Sequence, residues 1–168
     1  IELAKKSFCE ANIPLLQKEA NLTNEYQKIM ATANIEFDGK ELNLYGIQKY
    51  FEHEDRNVRK AAAKAYSDFY KSHETRLEEI WDELIKLRNQ MGRNLGFDNF
   101  IPLGYMNQGR TDYGCEEVTS FREQVRTELV PLCSKLYEAQ AKRLGIDKVN
   151  FHDEKTVFAD GNATPAGD

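Results

Sequence analysis

The stretch from Arg56 to Leu95 contains no proline, and no glycine before Gly92. Nothing in its local chemistry therefore stops a helix once one has begun. Apolar residues recur at Val58, Ala62, Ala65, Tyr66, Phe69, Tyr70, Leu77, Ile80, Trp81, Leu84, Ile85, Met91 and Leu95, among others. The steps are mostly three and four, which marks one apolar stripe on an amphipathic helix. Glu54 and Asp55 precede it where negative charge suits the amide end, while Arg93 and Gly96 suit the other end. At about 1.5 Å per residue, a helix over 55–95 is about 60 Å long. A compact chain of this size is about 40 Å across. The expectation is a rod that outruns its own globule and braces something larger.

A second long helix is expected from Cys115 to Leu144. Its stripe is Val118, Phe121, Val125, Leu129, Leu132, Leu136, Tyr137 and Leu144; Pro131 should kink it, and Lys142, Arg143 and Gly145 should stop it. The two long helices are expected to pack side by side. Residues 2–32 read as a further helix, kinked or divided near 10–13 by Pro14. Shorter helices are expected over 46–53 and over 99–107, the latter capped by Asp98 and ended by Gly109.

Residues 35–44 change to an alternating pattern, the signature of a β-hairpin. Two registers compete. An Asp38-Gly39 loop sets Phe37 against Lys40 and Glu36 against Glu41, a like-charge pair. A Gly39-Lys40 loop sets Phe37 against Leu42 and Ile35 against Leu44. Opposed apolar pairs favour the second. After Gly145, Val149, Phe151, Val157 and Phe158 suggest short extended pieces, and residues 159–168 read as an exposed, turn-rich loop. The fold class is all-α: long antiparallel helices with one small hairpin.

The bulk composition narrows the partners. A formal net charge of -5 argues against a nucleic-acid or anionic-membrane partner, whose phosphates would have to be met by clustered cations. No apolar run approaches the roughly 18 residues of a membrane span. The chain begins at Ile1 and shows no signal-peptide pattern. Cys9, Cys115 and Cys133 are odd in number and scattered, which reads as reduced thiols in a cytoplasmic protein, with Cys9 and Cys133 as small core residues.

Residue chemistry alone assembles no active site. A zinc peptidase helix needs His-Glu-x-x-His. His53-Glu54 is followed by Asn57 and His73-Glu74 by Leu77, so each lacks its second ligand, and His152 stands apart. Arg56, Arg59, Lys60 and Lys64 read as a solvated helix face partnered by Glu54, Asp55 and Asp68, not as a phosphate site. Glu78, Glu79, Asp82 and Glu83, like Glu116 and Glu117, read as charged helix faces. Tyr66, Phe69, Tyr70 and Trp81 read as core. Gly104 to Gly109 is spaced wrongly for a nucleotide loop.

Three passages taken together resemble one family. They are Ile35-Glu-Phe-Asp-Gly-Lys-Glu-Leu with Asp55-Arg-Asn-Val-Arg-Lys-Ala-Ala; Leu95-Gly-Phe-Asp-Asn-Phe with Leu103-Gly-Tyr-Met-Asn-Gln-Gly-Arg-Thr-Asp-Tyr113; and Asp160-Gly-Asn-Ala-Thr-Pro-Ala-Gly-Asp168. In order and spacing they resemble oligoendopeptidase F, of the thimet-oligopeptidase-like zinc metallopeptidases. The resemblance implies a helical, channel-forming enzyme that cuts short peptides with zinc. It also implies that the metal ligands and catalytic groups lie beyond residue 168. Residues 1–168 are then one helical portion of scaffold and channel wall, with no catalytic, cofactor-binding or metal residue of its own and with peptide contacts unassigned. Its partners are the remainder of its own chain and short peptides. By itself it is expected to neither hold zinc nor cleave peptides, and to self-associate. The competing reading is a helical interaction module without enzymatic activity, distinguished by whether His-Glu-x-x-His follows Asp168.

Overall fold

The computed structural model of the chain describes residues 2–163. They form helices α1 (Glu2–Ser7) and α2 (Ile13–Ala31), strands β1 (Ile35–Phe37) and β2 (Lys40–Leu42), then α3 (Leu44–Gln48), α4 (Arg56–Ser72), α5 (Glu74–Asn94), α6 (Ile101–Asn107), α7 (Cys115–Gln124) and α8 (Val130–Leu144). The chain divides into two compact units. One runs up to Ile29 and resumes over Glu74–Glu123; the other comprises Met30–His73 and Gln124 onward.

In the first unit, α2 and α5 run antiparallel, as their cross-pairs show: Glu19 meets Arg88 at 2.6 Å, and Glu25 takes a two-pronged bond from Arg76 at 2.6 and 2.7 Å. Leu22, Ile80 and Leu87 are buried between them, with Leu15, Ile29 and Leu84 at the margin. Pro14 stands in the first turn of α2, where a missing N–H is not needed. The expected kink is therefore a full interruption: α1 ends at Ser7, and a 3-10 turn over Glu10–Asn12 leads into α2. Asn12 is buried, donating to the Met91 carbonyl at 3.2 Å and accepting from Asn94 at 2.8 Å. Helix α6 starts at Ile101 with Phe100 at its N-cap, and the Ile101 amide donates to the Asn99 side chain at 2.9 Å; the expected Asp98 cap is not made.

The second unit is built on a core of Ala33, Ile35, Leu44, Ile47, Phe51, Ala62 and Ala63, flanked by Tyr66, Phe69 and Tyr70. Asn43 caps α3 by accepting from the amides of Tyr45 and Gly46, and Asp55 caps α4 by accepting from Asn57. Helix α3 thus begins two residues earlier than expected, and a 3-10 turn over Lys49–Glu52 completes the segment.

The hairpin takes the register that the apolar-pair argument rejected: Ile35 opposes Leu42, Glu36 opposes Glu41 and Phe37 opposes Lys40. Turn chemistry decides it. Asp38 and Gly39 both have positive φ, 52° and 68°, the conformation of a two-residue turn that matches strand twist. Glu36 and Glu41 are exposed, so water screens their repulsion. Leu44, freed from the ladder, is buried at the start of α3. The Tyr50 hydroxyl donates to Asp38 at 2.8 Å, which, with Lys40, holds that carboxyl below its usual range. A Cβ at Gly39 would meet nothing within 4 Å, so Gly39→Ala carries only the cost of left-handed backbone. The expected loss is about 1 kcal/mol, read as a shift in urea midpoint.

The helix expected over 55–95 is interrupted: α4 ends at Ser72 and α5 begins at Glu74. It is divided at His73, whose φ of -110° and ψ of 4° leave the helical region. The cause is local. The Phe69 carbonyl, which the His73 amide would bond in a continuous helix, is taken by the Ser72 hydroxyl at 2.7 Å and the His73 ring nitrogen at 2.9 Å. The His73 amide turns instead to the Tyr70 and Lys71 carbonyls, the tightened turn of a helix end.

Helix α5 is paired with α2, and α8 buries Gln140 and Ala141 while Leu129, Leu132 and Leu136 stay more than half exposed. Ahead of Pro131 a π-helical segment, Val125–Leu129, sets the Val130 amide on the Val125 carbonyl, five residues back. That wider turn makes room for a proline ring that would press on the carbonyl four residues before it. The extended pieces expected after Gly145 are absent among the described residues; a 3-10 turn over Phe151–Asp153 stands there. Residues 159–163 carry no regular element, as expected, although Asn162 is half-buried and tied to Val157 and Lys155. The rest of that loop, residues 164–168, lies outside the described residues.

Candidate functional site

The densest polar arrangement lies in the second unit, around Asp153. Asn150 caps the 3-10 turn and the Asp153 side chain accepts from the Asn150 amide, so a reciprocal capping box fixes the carboxylate. Arg56 donates to both carboxylate oxygens at 3.0 and 2.9 Å, and Arg59 adds a bond at 3.1 Å. Asp153 and Arg59 are 0% and 3% exposed. Burial alone would push the Asp153 pKa up; the bonds from Arg56, Arg59 and the Asn150 amide outweigh it and hold the group at about 2. Gln140 of α8 donates to the carbonyls of Asp153, Glu154 and Thr156, and Thr156 is itself buried. Every acceptor on Asp153 is engaged in protein bonds, so this centre is a clasp between α4, the 150–156 turn and α8.

The basic cluster read from sequence therefore divides. Arg59 is buried and Arg56 serves the clasp, whereas Lys64 pairs with Asp68 one turn on as a solvated pair. Sequence reasoning missed Asp153 because its partners are 94 and 97 residues away. The available signal was Asn150-x-x-Asp153, which marks a capped turn.

The three histidines do not fit a zinc site. The His53 ring accepts from the Asp55 amide at 3.0 Å, a local cap. The His73 ring is engaged at the end of α4. The 17 residues of α4 separate these two, about 26 Å. His152 points its Nε2 toward Asp153 at 3.5 Å. Among the described residues no three His, Cys, Asp or Glu side chains converge to hold a metal ion.

The remaining groups fall into structural roles. Glu79 and Glu83 pair with Arg76 and Lys18, and Glu117 accepts from the Gly114 amide at 2.8 Å. Tyr66 stacks edge-on against Phe51, which also meets Phe151 at 5.5 Å. Trp81 does not join a core; it is 66% exposed. Helix α5 buries Ile80, Leu87 and Met91, with Leu84 half-buried beside them, and Trp81 and Ile85 lie one position round from that stripe. Cys133 is exposed on α8, contrary to its core reading, while Cys9 is half-buried beside the Asn94 carbonyl. Gly104 to Gly109 is the end of α6, closed by Gly109 at φ 68°.

Two clefts remain. In the second unit, about 300 Å³ is lined by Ser134, Tyr137, Glu138, Asp147, Lys148 and Glu154, among others. In the first, a cleft of about 490 Å³ is lined by Arg110, Tyr113, Glu117, Val118, Phe121 and Arg122. The Arg110 guanidinium lies over the Tyr105 ring at 5.1 Å and the Tyr113 ring at 5.7 Å. Sequence reasoning passed over this cleft, because its lining comes from a loop and one helix turn with no repeating pattern.

Comparison with known proteins gives this fold its context. The chain is similar over 99% of its length to PZ peptidase A, solved with an inhibitor, at 42% identity and a TM-score of 0.95. It is similar to a protein described as oligoendopeptidase F from Bacillus anthracis str. Ames at 38% identity and a TM-score of 0.93. A further structure described as oligoendopeptidase F gives 42% and 0.95. The chain spans 30–31% of the length of these proteins. No curated protein sequence gives a significant match. Residues 49–159 match the model of peptidase family M3. That match takes in α4, α5, the cleft and the Asp153 clasp, and the chain belongs to peptidase family M3.

Proposed function

We propose that this chain is a helical scaffold and channel-wall portion of a zinc-dependent oligoendopeptidase that cuts short peptides. The observation that carries the reading is the similarity of nearly the whole chain to about 30% of PZ peptidase A and of proteins described as oligoendopeptidase F. Residues 2–163 do not fit a zinc site, so the metal ligands are assigned beyond residue 168 and no chemical step is assigned here. The role left to these residues is to shape and restrict the path to a catalytic lobe. A rigid wall does this only if its elements hold their positions, which the α2–α5 ion pairs and the Asp153 clasp favour.

The partners proposed are the remainder of the chain and short peptides, with neither nucleic acid nor membrane. Among the described residues no helix is long and apolar enough to cross a membrane. The proposed compartment is the cytoplasm, where three cysteines without disulfides are at home. The exposed Leu129, Leu132 and Leu136 favour self-association of the isolated chain. They equally suit the second reading, a helical interaction module. The open reading frame past Asp168 separates the two: His-Glu-x-x-His is expected there, and a reading frame that closes without it would overturn the peptidase reading in favour of the module.

A further inference from the structure

The cleft of the first unit sets two arginines beside an apolar wall. We propose that it is a carboxylate-recognition subsite that takes the C-terminal carboxylate of a peptide whose last side chain is apolar. The choice of a peptide rests on the function proposed above; the choice of an anion does not.

Arg110 is the first reason. Its guanidinium lies over two tyrosine rings, Tyr105 and Tyr113, and is half-buried. The guanidinium carries five N–H donors, more than its contact with the Tyr105 hydroxyl uses, so donors remain for a carboxylate. An arginine already fixed in this way loses little freedom when it binds a carboxylate. Arg122, on the same wall, bonds only the Thr119 hydroxyl, at 3.4 Å. Among the described residues neither arginine is paired with a carboxylate. The one acid in the lining, Glu117, already accepts from the Gly114 amide. The local balance is thus positive in a chain whose formal net charge is -5.

The rest of the lining selects the kind of anion. Tyr113, Val118 and Phe121 make an apolar wall beside the cations. A free phosphate would leave that wall wet, whereas a peptide end carries an apolar side chain and a carboxylate on one atom. A volume of about 490 Å³ suits a residue or two.

The test is direct binding to the 168-residue chain of dansyl-Gly-Leu-Phe as the free acid and as the carboxamide, followed by fluorescence anisotropy with a chelator present. The free acid is expected to bind about tenfold more tightly at low salt. Arg110→Gln should bring the ratio to about one. Phe121→Ser, at a side chain 64% exposed, should weaken acid and amide alike and keep the ratio. Equal affinity of acid and amide for the unaltered chain would overturn the proposal, as would no binding of either or a ratio that Arg110→Gln leaves intact. Acid preference here without hydrolysis by the intact enzyme would sink the peptidase reading alone. Hydrolysis by the intact enzyme with equal binding of acid and amide here would sink the subsite alone.

Discussion

Asp153→Ala lowers the stability of the chain by about 3–5 kcal/mol, the cost of leaving a buried charge without its partner. Arg59, 3% exposed, then keeps bonds to the carbonyls of His53 and Glu54 but faces no anion, and its Nε already has no partner. Arg56 is exposed enough to turn to water, so Arg59 carries most of the effect. The measurement is a urea titration followed by far-ultraviolet circular dichroism. The pH dependence has a definite sign. The Asp153 pKa is depressed from 3.8 to about 2, so its contribution is fully present above the unfolded value and is lost as pH falls through the folded one. The wild-type chain should lose stability between about pH 4 and pH 2, and the acid limb of Asp153→Ala should be flatter over that window.

Gly92→Ala is the second large effect, and its direction opposes helix propensity. Inside a helix, alanine is better than glycine by about 1 kcal/mol. Here the added Cβ would stand 2.2 Å from the Asn99 carbonyl oxygen and 2.6 Å from its carbon. Both atoms are backbone, and the segment is held onto α5 by the Phe100 amide bond to Asn89 at 3.1 Å. Neither side can yield without breaking that contact. A net loss of about 3 kcal/mol is expected, at the upper end for overpacking. Gly114→Ala, whose Cβ would meet only a Glu117 side-chain oxygen at 3.6 Å, serves as the control and should stay within about 0.5 kcal/mol. Thermal melts of the two variants side by side make the comparison.

The elements that sequence rendered legible are those whose causes are local. The helices α2, α5 and α8, the acidic start at Asp55, the stop at Gly145 and the presence of a hairpin within 35–44 follow from spacing and turn chemistry. The misreadings came from competing local bonds and from distant partners. At His73, two side chains compete for one carbonyl, a detail that an apolar pattern cannot register. At the hairpin, two positive-φ residues outweighed the pairing of apolar side chains. Asp153 is unremarkable in sequence; its burial is set by Arg56, Arg59 and Gln140, which come from two other helices. The Arg110 cleft was illegible for the same reason: ring stacking depends on how the loop after α6 closes, not on residue spacing.

Metal content and peptidase activity of the chain bear most directly on the claim that these residues are wall and not catalyst. The purified chain is dialysed against buffer, its zinc measured, and a quenched fluorescent peptide added with and without zinc. With His53 and His73 at opposite ends of α4 and no converging ligand set among the described residues, zinc well below one equivalent and no chelator-sensitive cleavage are expected. One equivalent of retained zinc, together with cleavage that a chelator abolishes, would contradict the account.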